Sequence, residues 1–137
     1  VREAKAAGME ACCGGILGMG EDLQERVELA MELRALEVDS VPVNLLDARQ
    51  GTALQDGGRM EATDALRALA MFRFFHPKAD LRIAGGREVV LGPLQALALY
   101  PANSLFVEGY LTTGGQGEDA DRAMIEAAGF EIVSEAP

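Results

Sequence analysis

The stretch Cys12-Cys13-Gly14-Gly15-Ile16-Leu17-Gly18-Met19-Gly20-Glu21 organises this chain, because it joins a short apolar segment to the start of a helix. The pattern predicts a strand over Glu10 to Cys13, a glycine turn, and a helix from about Asp22 to Leu36. Glycine permits positive φ and close backbone approach to a ligand, and a thiolate is a soft ligand suited to iron, copper or zinc. The residues leave two alternatives open: a ligand or metal site, or a buried structural cysteine pair beside a tight turn.

The order of strand, turn and helix then repeats three times. The predicted strands cover Ser40 to Asn44, Leu81 to Ala84 and Ser104 to Val107, and the helices that follow cover Ala62 to Phe75, Pro93 to Leu99 and Glu118 to Ala128. Four consecutive βα units predict an α/β protein with a parallel sheet, and they are also half of an eight-stranded TIM-type barrel. Residues 1–8 have the pattern of a helix tail, and no initiator methionine is present, so we expect a fragment.

Composition narrows the functional classes. The 137 residues carry a formal net charge of −10 and are 49% hydrophobic, which fits one globular domain. Such an acidic chain is repelled by a phosphate backbone, so we expect no nucleic-acid partner. Two adjacent cysteines do not form a disulfide framework and fit a reducing cytoplasm. The uncharged stretch from Val89 to Val107 is interrupted by Gly92, Pro93 and Pro101, so we expect no membrane span.

Polar residues follow the predicted strands at their carboxyl ends, where α/β proteins bind ligands. These ends carry Cys12 and Cys13, then Asn44, then Arg82, then the stretch from Glu108 to Thr113. The residues leave open whether Asn44 binds a ligand or only caps a turn. His76 is the single histidine and precedes Pro77 at a helix end, where we expect no functional role and no zinc site.

Arg82 is the sharpest candidate among these residues. Leu81 and Ile83 flank it, so alternation along a strand points its guanidinium away from their face. In a barrel that side is the lumen, where a charge is costly unless it meets an anion, a carboxylate or a metal centre. The alternative is a structural salt bridge to Glu88 or Glu108.

A family resemblance becomes visible at this point. Gly14 to Glu21 fits the G-x-I-x-G-x-x-E pattern of radical S-adenosylmethionine enzymes, and the whole chain resembles the C-terminal half of the biotin synthase family. Four blocks carry the resemblance: Cys12 to Glu21; Ser40-Val41-Pro42-Val43-Asn44-Leu45-Leu46 with Gly51-Thr52; Leu81-Arg82-Ile83-Ala84-Gly85-Gly86-Arg87-Glu88; and Ala102-Asn103-Ser104-Leu105-Phe106 with Tyr110-Leu111-Thr112-Thr113.

The resemblance implies radical sulfur insertion into dethiobiotin to give biotin, with S-adenosylmethionine, a four-iron four-sulfur cluster and a two-iron two-sulfur cluster as cofactors. It implies that Cys12 and Arg82 are ligands of the two-iron cluster and that Asn44 hydrogen-bonds the ureido ring of dethiobiotin. Cys13 stands where the family commonly has a small residue. We expect, from alternation along a strand, that only one of the two thiols faces the lumen.

The resemblance also implies a cofactor-binding role for four residues of the nucleoside pocket: Gly14, Ile16, Gly18 and Leu45. No catalytic residue is implied within this half. The Cys-x-x-x-Cys-x-x-Cys motif of the superfamily is absent from the sequence, so the four-iron cluster would belong to the N-terminal half. We therefore expect a chain that is inert alone and a full-length parent that is a homodimer.

Two other functions remain open from the sequence. One is half of a different radical S-adenosylmethionine protein, such as the related hydrogenase-maturation enzymes, although Cys12 together with Arg82 argues against it. The other is a stand-alone, non-catalytic half-barrel that binds a nucleotide or phosphate at Gly14 to Gly20.

Overall fold

The computed structural model of the protein describes residues 1–107, 109–110 and 113–133. Its elements in chain order are α1 Arg2–Ala6, β1 Gly15–Leu17, α2 Leu23–Ala35, β2 Ser40–Leu45, α3 Ala62–Phe75, β3 Asp80–Ile83, α4 Arg87–Leu91, a 3-10 helix Gly92–Leu99, β4 Ser104–Leu105, β5 Gly109–Tyr110, β6 Thr113–Gly114 and α5 Glu118–Ala127. Within the described residues, no helix has both the length and the apolar composition needed to cross a bilayer.

Strands β1 to β4 form one parallel sheet in chain order. The alternation of strands and helices confirms the predicted α/β class and the parallel sheet. One row across the sheet runs through Gly15, Val43, Ile83 and Leu105, which are paired in register. Strands β5 and β6 form a separate antiparallel pair that the sequence analysis did not predict.

The sheet has a helix-covered face and an open face. Along β2, the alternate residues Val41, Val43 and Leu45 are buried in the core that the strands form with α2 and α3. The other residues of β2, among them Pro42 and Asn44, are half-buried on the opposite side, which we call the open face. Alternation along each strand decides which side chains reach that face.

The first strand begins later than the sequence indicates. We predicted Glu10 to Cys13, whereas β1 is Gly15–Leu17 and Cys12 makes only a single bridge with Ser40. Glycine is depleted in strands, so a run of glycines seldom indicates one. Gly15 nevertheless pairs with Val43 of β2, and the turn comes after the strand.

Close packing explains why a glycine is needed in that paired segment. A Cβ atom at Gly14 would lie 1.9 Å from the carbonyl oxygen of Pro42, so no other residue fits there without moving the backbone. Glycine in a strand commonly marks such a close backbone approach. The turn then begins at Gly18, whose φ of +95° lies in the left-handed region that glycine adopts without strain.

The long helices lie where their apolar spacing predicted them. Helix α2 begins after Asp22, whose side chain accepts the backbone N–H of Glu25 while the Glu25 side chain accepts the N–H of Asp22, a complete capping box. Helix α3 matches its predicted bounds, and α5 ends one residue before its predicted end. The short helix α4, Arg87–Leu91, was not predicted.

Candidate functional site

The register of the sheet brings Cys12, Asn44 and Arg82 to the open face, in three successive rows. Cys12 is paired with Ser40, and Arg82 is paired with Pro42 one row nearer the carboxyl ends of the strands. Asn44 is paired with Ile16 in the next row. Rows on one face are about 6.6 Å apart and strands about 4.8 Å apart, so the Cα atoms of Cys12 and Arg82 are separated by about 12 Å.

The two cysteines face opposite sides of the chain. Cys12 is exposed, whereas Cys13 is half-buried and packs against the hydrophobic core. Both thiols are free. Alternation along an extended chain explains this arrangement. Ala11 and Cys13, the two neighbours of Cys12, point toward the core, so the Cys12 side chain points away from it.

Arg82 is held on the open face by contacts with β4 and the residue that follows it. Its Nε donates a hydrogen bond to the Ser104 hydroxyl at 2.8 Å, and its guanidinium carbon lies 5.4 Å from the centroid of the Phe106 ring. No described acid forms an ion pair with Arg82. Glu88 pairs with Arg87 instead, and Glu108 lies outside the described residues.

Asn44 connects three strands through its side-chain amide. Its Nδ2 donates to the Gly15 carbonyl at 3.3 Å, and its Oδ1 accepts the Gly85 N–H at 3.0 Å. These contacts are structural. A primary amide offers two N–H donors and two oxygen lone pairs, so one of each remains for a ligand.

The four residues of the expected nucleoside pocket divide between the two faces. Ile16 is 45% exposed, in the same row as Asn44 on the open face. The side chain of Leu45 is only 2% exposed and packs in the core, so it does not reach the open face. Alternation along β2 is the reason, because Leu45 has the same orientation as the buried Val43. Gly14 and Gly18 shape the backbone there, as described above.

Glu21 occupies the glycine turn with its carboxylate. Its two oxygens accept the N–H groups of Gly18 at 2.8 Å and Met19 at 2.7 Å, and Arg26 pairs with it at 2.8 Å. Burial by itself raises the pKa of Glu21, but the hydrogen bonds from the backbone and from Arg26 hold that pKa below its ordinary value. Two N–H groups of the turn are thus already satisfied by a negative charge, which disfavours a phosphate at this position.

A buried ion pair, which the sequence analysis did not single out, lies beyond the carboxyl end of β3. Arg87 is 1% and Asp121 0% exposed, and they form two parallel hydrogen bonds of 2.9 and 3.0 Å. Glu88 adds a second carboxylate to Arg87 at 2.9 Å, and Gln116 donates to Asp121 at 2.7 Å. The available signal was an aspartate on the same face of α5 as the apolar Met124 and Ile125, because aspartate is rarely fully buried without a partner.

His76 caps the end of α3, as expected, but it is buried rather than exposed. It is 5% exposed, its ring stacks on Phe72, and its Nε2 has no hydrogen-bond partner among the described residues. Burial lowers its pKa, a hydrogen bond to the Ala30 backbone opposes this, and the charges of Arg34 and Arg73 lower the pKa further.

A groove of about 960 Å³ lies beside β4 rather than at the carboxyl edge of the sheet. Arg82, Tyr100 and Phe130 are among its lining residues, whereas Cys12 and Asn44 are not. The groove therefore touches the candidate site only at Arg82.

The residues fit an iron–sulfur cluster in part. Among the described residues, no group of three or more His, Cys, Asp or Glu could hold a metal ion. One exposed thiol and one guanidinium, whose Nη atoms have no hydrogen-bond partner among the described residues, nevertheless share the open face, and thiolates are the usual ligands of iron–sulfur clusters. They suit two positions of a ligand set that other residues would complete.

Comparison with known proteins identifies the family. The profile of the Biotin and Thiamin Synthesis associated domain matches residues 42–131, and the chain belongs to this domain family. Among its curated relatives, the biotin synthase of Salinibacter ruber is 61% identical over 139 residues, covering 100% of this chain and 39% of that protein. The biotin synthase of Rhodopirellula baltica is 52% identical over 132 residues, covering 96% and 37%. These matches confirm the resemblance seen in the sequence, and the chain spans about two fifths of the length of these relatives.

Proposed function

We propose that this chain is the C-terminal half of the (βα)8 barrel of a biotin synthase, which inserts sulfur into dethiobiotin to give biotin. The observation that carries the proposal is the identity of 61% along the whole chain to a protein named biotin synthase. The parallel sheet in chain order supports a half-barrel, because β1 and β4 each have one neighbour among the described strands, and a barrel needs partners at both edges.

In this proposal, Cys12 and Arg82 hold the two-iron cluster from one side. Their shared face and their Cα separation of about 12 Å suit two ligands on strands that curve round one lumen. Cys12 and Arg82 would hold the two-iron cluster, which would provide the sulfur, and a four-iron cluster would provide reducing chemistry toward S-adenosylmethionine. The ligands of the four-iron cluster come from the N-terminal half.

Asn44 and Ile16 bind the organic molecules in this proposal. The N–H and the lone pair left free on the Asn44 amide match the acceptor and donor of the ureido ring of dethiobiotin. Ile16, half-exposed beside it, offers an apolar surface to the nucleoside. Gly14 allows the close approach to β2, and Gly18 allows the turn, and together they place Ile16. The buried Leu45 side chain holds the neighbouring end of β2 in the core.

The location and assembly are part of the proposal. Both thiols are free, and thiols stay reduced in a reducing compartment, so we place the enzyme in the cytoplasm. We expect the complete enzyme to be a homodimer without a nucleic-acid or membrane partner.

The test uses the complete enzyme, reconstituted with iron and sulfide without oxygen, and compares Cys12→Ala with its neighbour Cys13→Ser. We expect Cys12→Ala to abolish the visible absorption of the two-iron cluster and the formation of biotin. Cys13→Ser should leave both largely intact, because that side chain packs against the core on the other side. Equal damage by the two substitutions would mean that the assigned site is wrong by one residue.

A further inference from the structure

We propose that Phe106 is a positioning residue for Arg82, and that the buried Arg87–Asp121 pair fixes Phe106 for this purpose. This inference rests on the proposed function, in which Arg82 is a ligand of the two-iron cluster. It concerns how a flexible, charged side chain is held in one orientation.

Two contacts restrain the guanidinium of Arg82. The hydrogen bond from Nε to the Ser104 hydroxyl, 2.8 Å long, restrains its inner edge, and the Phe106 ring lies against it at 5.4 Å from the centroid. The attraction between a cation and the face of an aromatic ring acts within about 6 Å of the centroid. Among the described residues neither Nη atom has a hydrogen-bond partner, and in this proposal the ligand lies at that outer edge of Arg82.

The backbone of Phe106 is itself held at both of its polar groups. Its N–H donates to the Ile83 carbonyl at 3.1 Å, which continues the pairing with β3 beyond the end of β4. Its carbonyl accepts a hydrogen bond from Nη2 of Arg87 at 3.3 Å. Phe106 therefore sits between the strand that carries Arg82 and the helix that begins with Arg87.

Arg87 can hold that carbonyl because its own position is fixed. It is 1% exposed, and Asp121 binds both of its Nη atoms at 2.9 and 3.0 Å. A bidentate pair between arginine and a carboxylate restricts the guanidinium in direction as well as in distance. A chain of contacts thus runs from α5 through Arg87 and Phe106 to the guanidinium of Arg82.

The experiment measures, in the complete enzyme, the rate at which a chelator bleaches the visible absorption of the two-iron cluster. Phe106→Leu removes the ring, whereas Phe106→Tyr keeps it and serves as the matched control. We expect bleaching roughly 2- to 30-fold faster in Phe106→Leu, from the range of entropy that ordering a long side chain such as arginine costs, and within about twofold of wild type in Phe106→Tyr. If Phe106→Leu does not fold, Phe106→Met carries the same comparison.

A double variant separates positioning from a general effect on the fold. In an Arg82→Ala background, Phe106→Leu should add no further acceleration, because the side chain that it positions is gone. Wild-type bleaching in Phe106→Leu, or an equal acceleration in both backgrounds, would overturn the inference while the ligand role of Arg82 stands. If Arg82→Ala itself bleaches at the wild-type rate, Arg82 is not a ligand, and both that part of the proposed function and the inference fail.

Discussion

Removing the carboxylate of Asp121 tests whether the buried ion pair with Arg87 stabilises the packing of α5 against α4. In Asp121→Ala, Arg87 stays buried at 1% exposure and loses the partner that meets both of its Nη atoms. Breaking a buried ion pair by removing one partner costs about 3–5 kcal/mol, because a charge is left without compensation. We expect the lower end of this range, because Glu88 still lies 2.9 Å from Arg87.

Amide hydrogen exchange in the complete protein measures this cost where it acts. A loss of about 3 kcal/mol corresponds to exchange roughly a hundredfold faster in the affected segments. Peptides from α4 and α5 should show this loss of protection, because the pair joins these two helices. Peptides from α2, which the pair does not touch, should keep their wild-type protection.

An exposed ion pair on the same helix provides the matched control. Glu118 and Arg122 pair at 2.6 Å, but their side chains are 45% and 52% exposed, and such pairs contribute less than about 1 kcal/mol. Glu118→Ala should therefore accelerate exchange less than about fivefold. If Glu118→Ala accelerates exchange as much as Asp121→Ala does, burial is not what makes the Arg87–Asp121 pair important. The same follows if Asp121→Ala leaves α4 and α5 protected.

Three further predictions concern the packing, the buried histidine and the sheet edges. Gly86→Ala should prevent folding of the complete protein, because its Cβ would lie 1.8 Å from the Leu45 carbonyl oxygen, whereas Gly8→Ala, at φ +79° in open space, should cost only about 1–2 kcal/mol by thermal melting. His76 has a folded pKa below its unfolded value of 6.5, so the unfolded state binds more protons as the pH falls. The stability that His76 contributes is complete above about pH 6.5 and is lost as the pH falls toward the pKa of the folded state. The amides of α3 should therefore be less protected from exchange at pH 5.5 than at pH 7.5, and His76→Phe should abolish this difference. The 137-residue chain alone should self-associate in sedimentation through the unpaired edges of β1 and β4, and a concentration-independent monomer would refute this.

The long helices and the class of the sheet were predictable because their signals are local and repeated. Helix α3 was predicted to the residue, since apolar residues recur over four turns and Pro77 limits its extent. Strand β1 was not predicted, because glycines form a turn in most contexts. Here Gly14 leads into the strand in close contact with the backbone of Pro42. The five-residue helix α4 is too short for a periodic pattern to be recognised.

The placement of the proposed site residues on one face of the sheet was predictable from the sequence, but their surroundings were predictable only in part. The orientation of Arg82 followed from its neighbours Leu81 and Ile83, which are both buried. The contacts of Arg82 could not be predicted in this way. Ser104 belongs to β4 and Phe106 follows it, and a contact 22 residues away in the chain leaves no local pattern. The burial of Asp121 likewise depends on Arg87, 34 residues away.

Gly14 gives the clearest link between the packing of the sheet and the chemistry proposed for it. A side chain there would collide with the Pro42 carbonyl, so β1 can lie this close to β2 only where a glycine faces Pro42. That register places Cys12 opposite Ser40 on the open face and turns Cys13 toward the core. A shift of one residue exchanges the two faces of a strand. The glycines after the cysteines therefore shape the turn and also fix the register of the segment before it. That register determines which of the two thiols lies on the same face as Arg82.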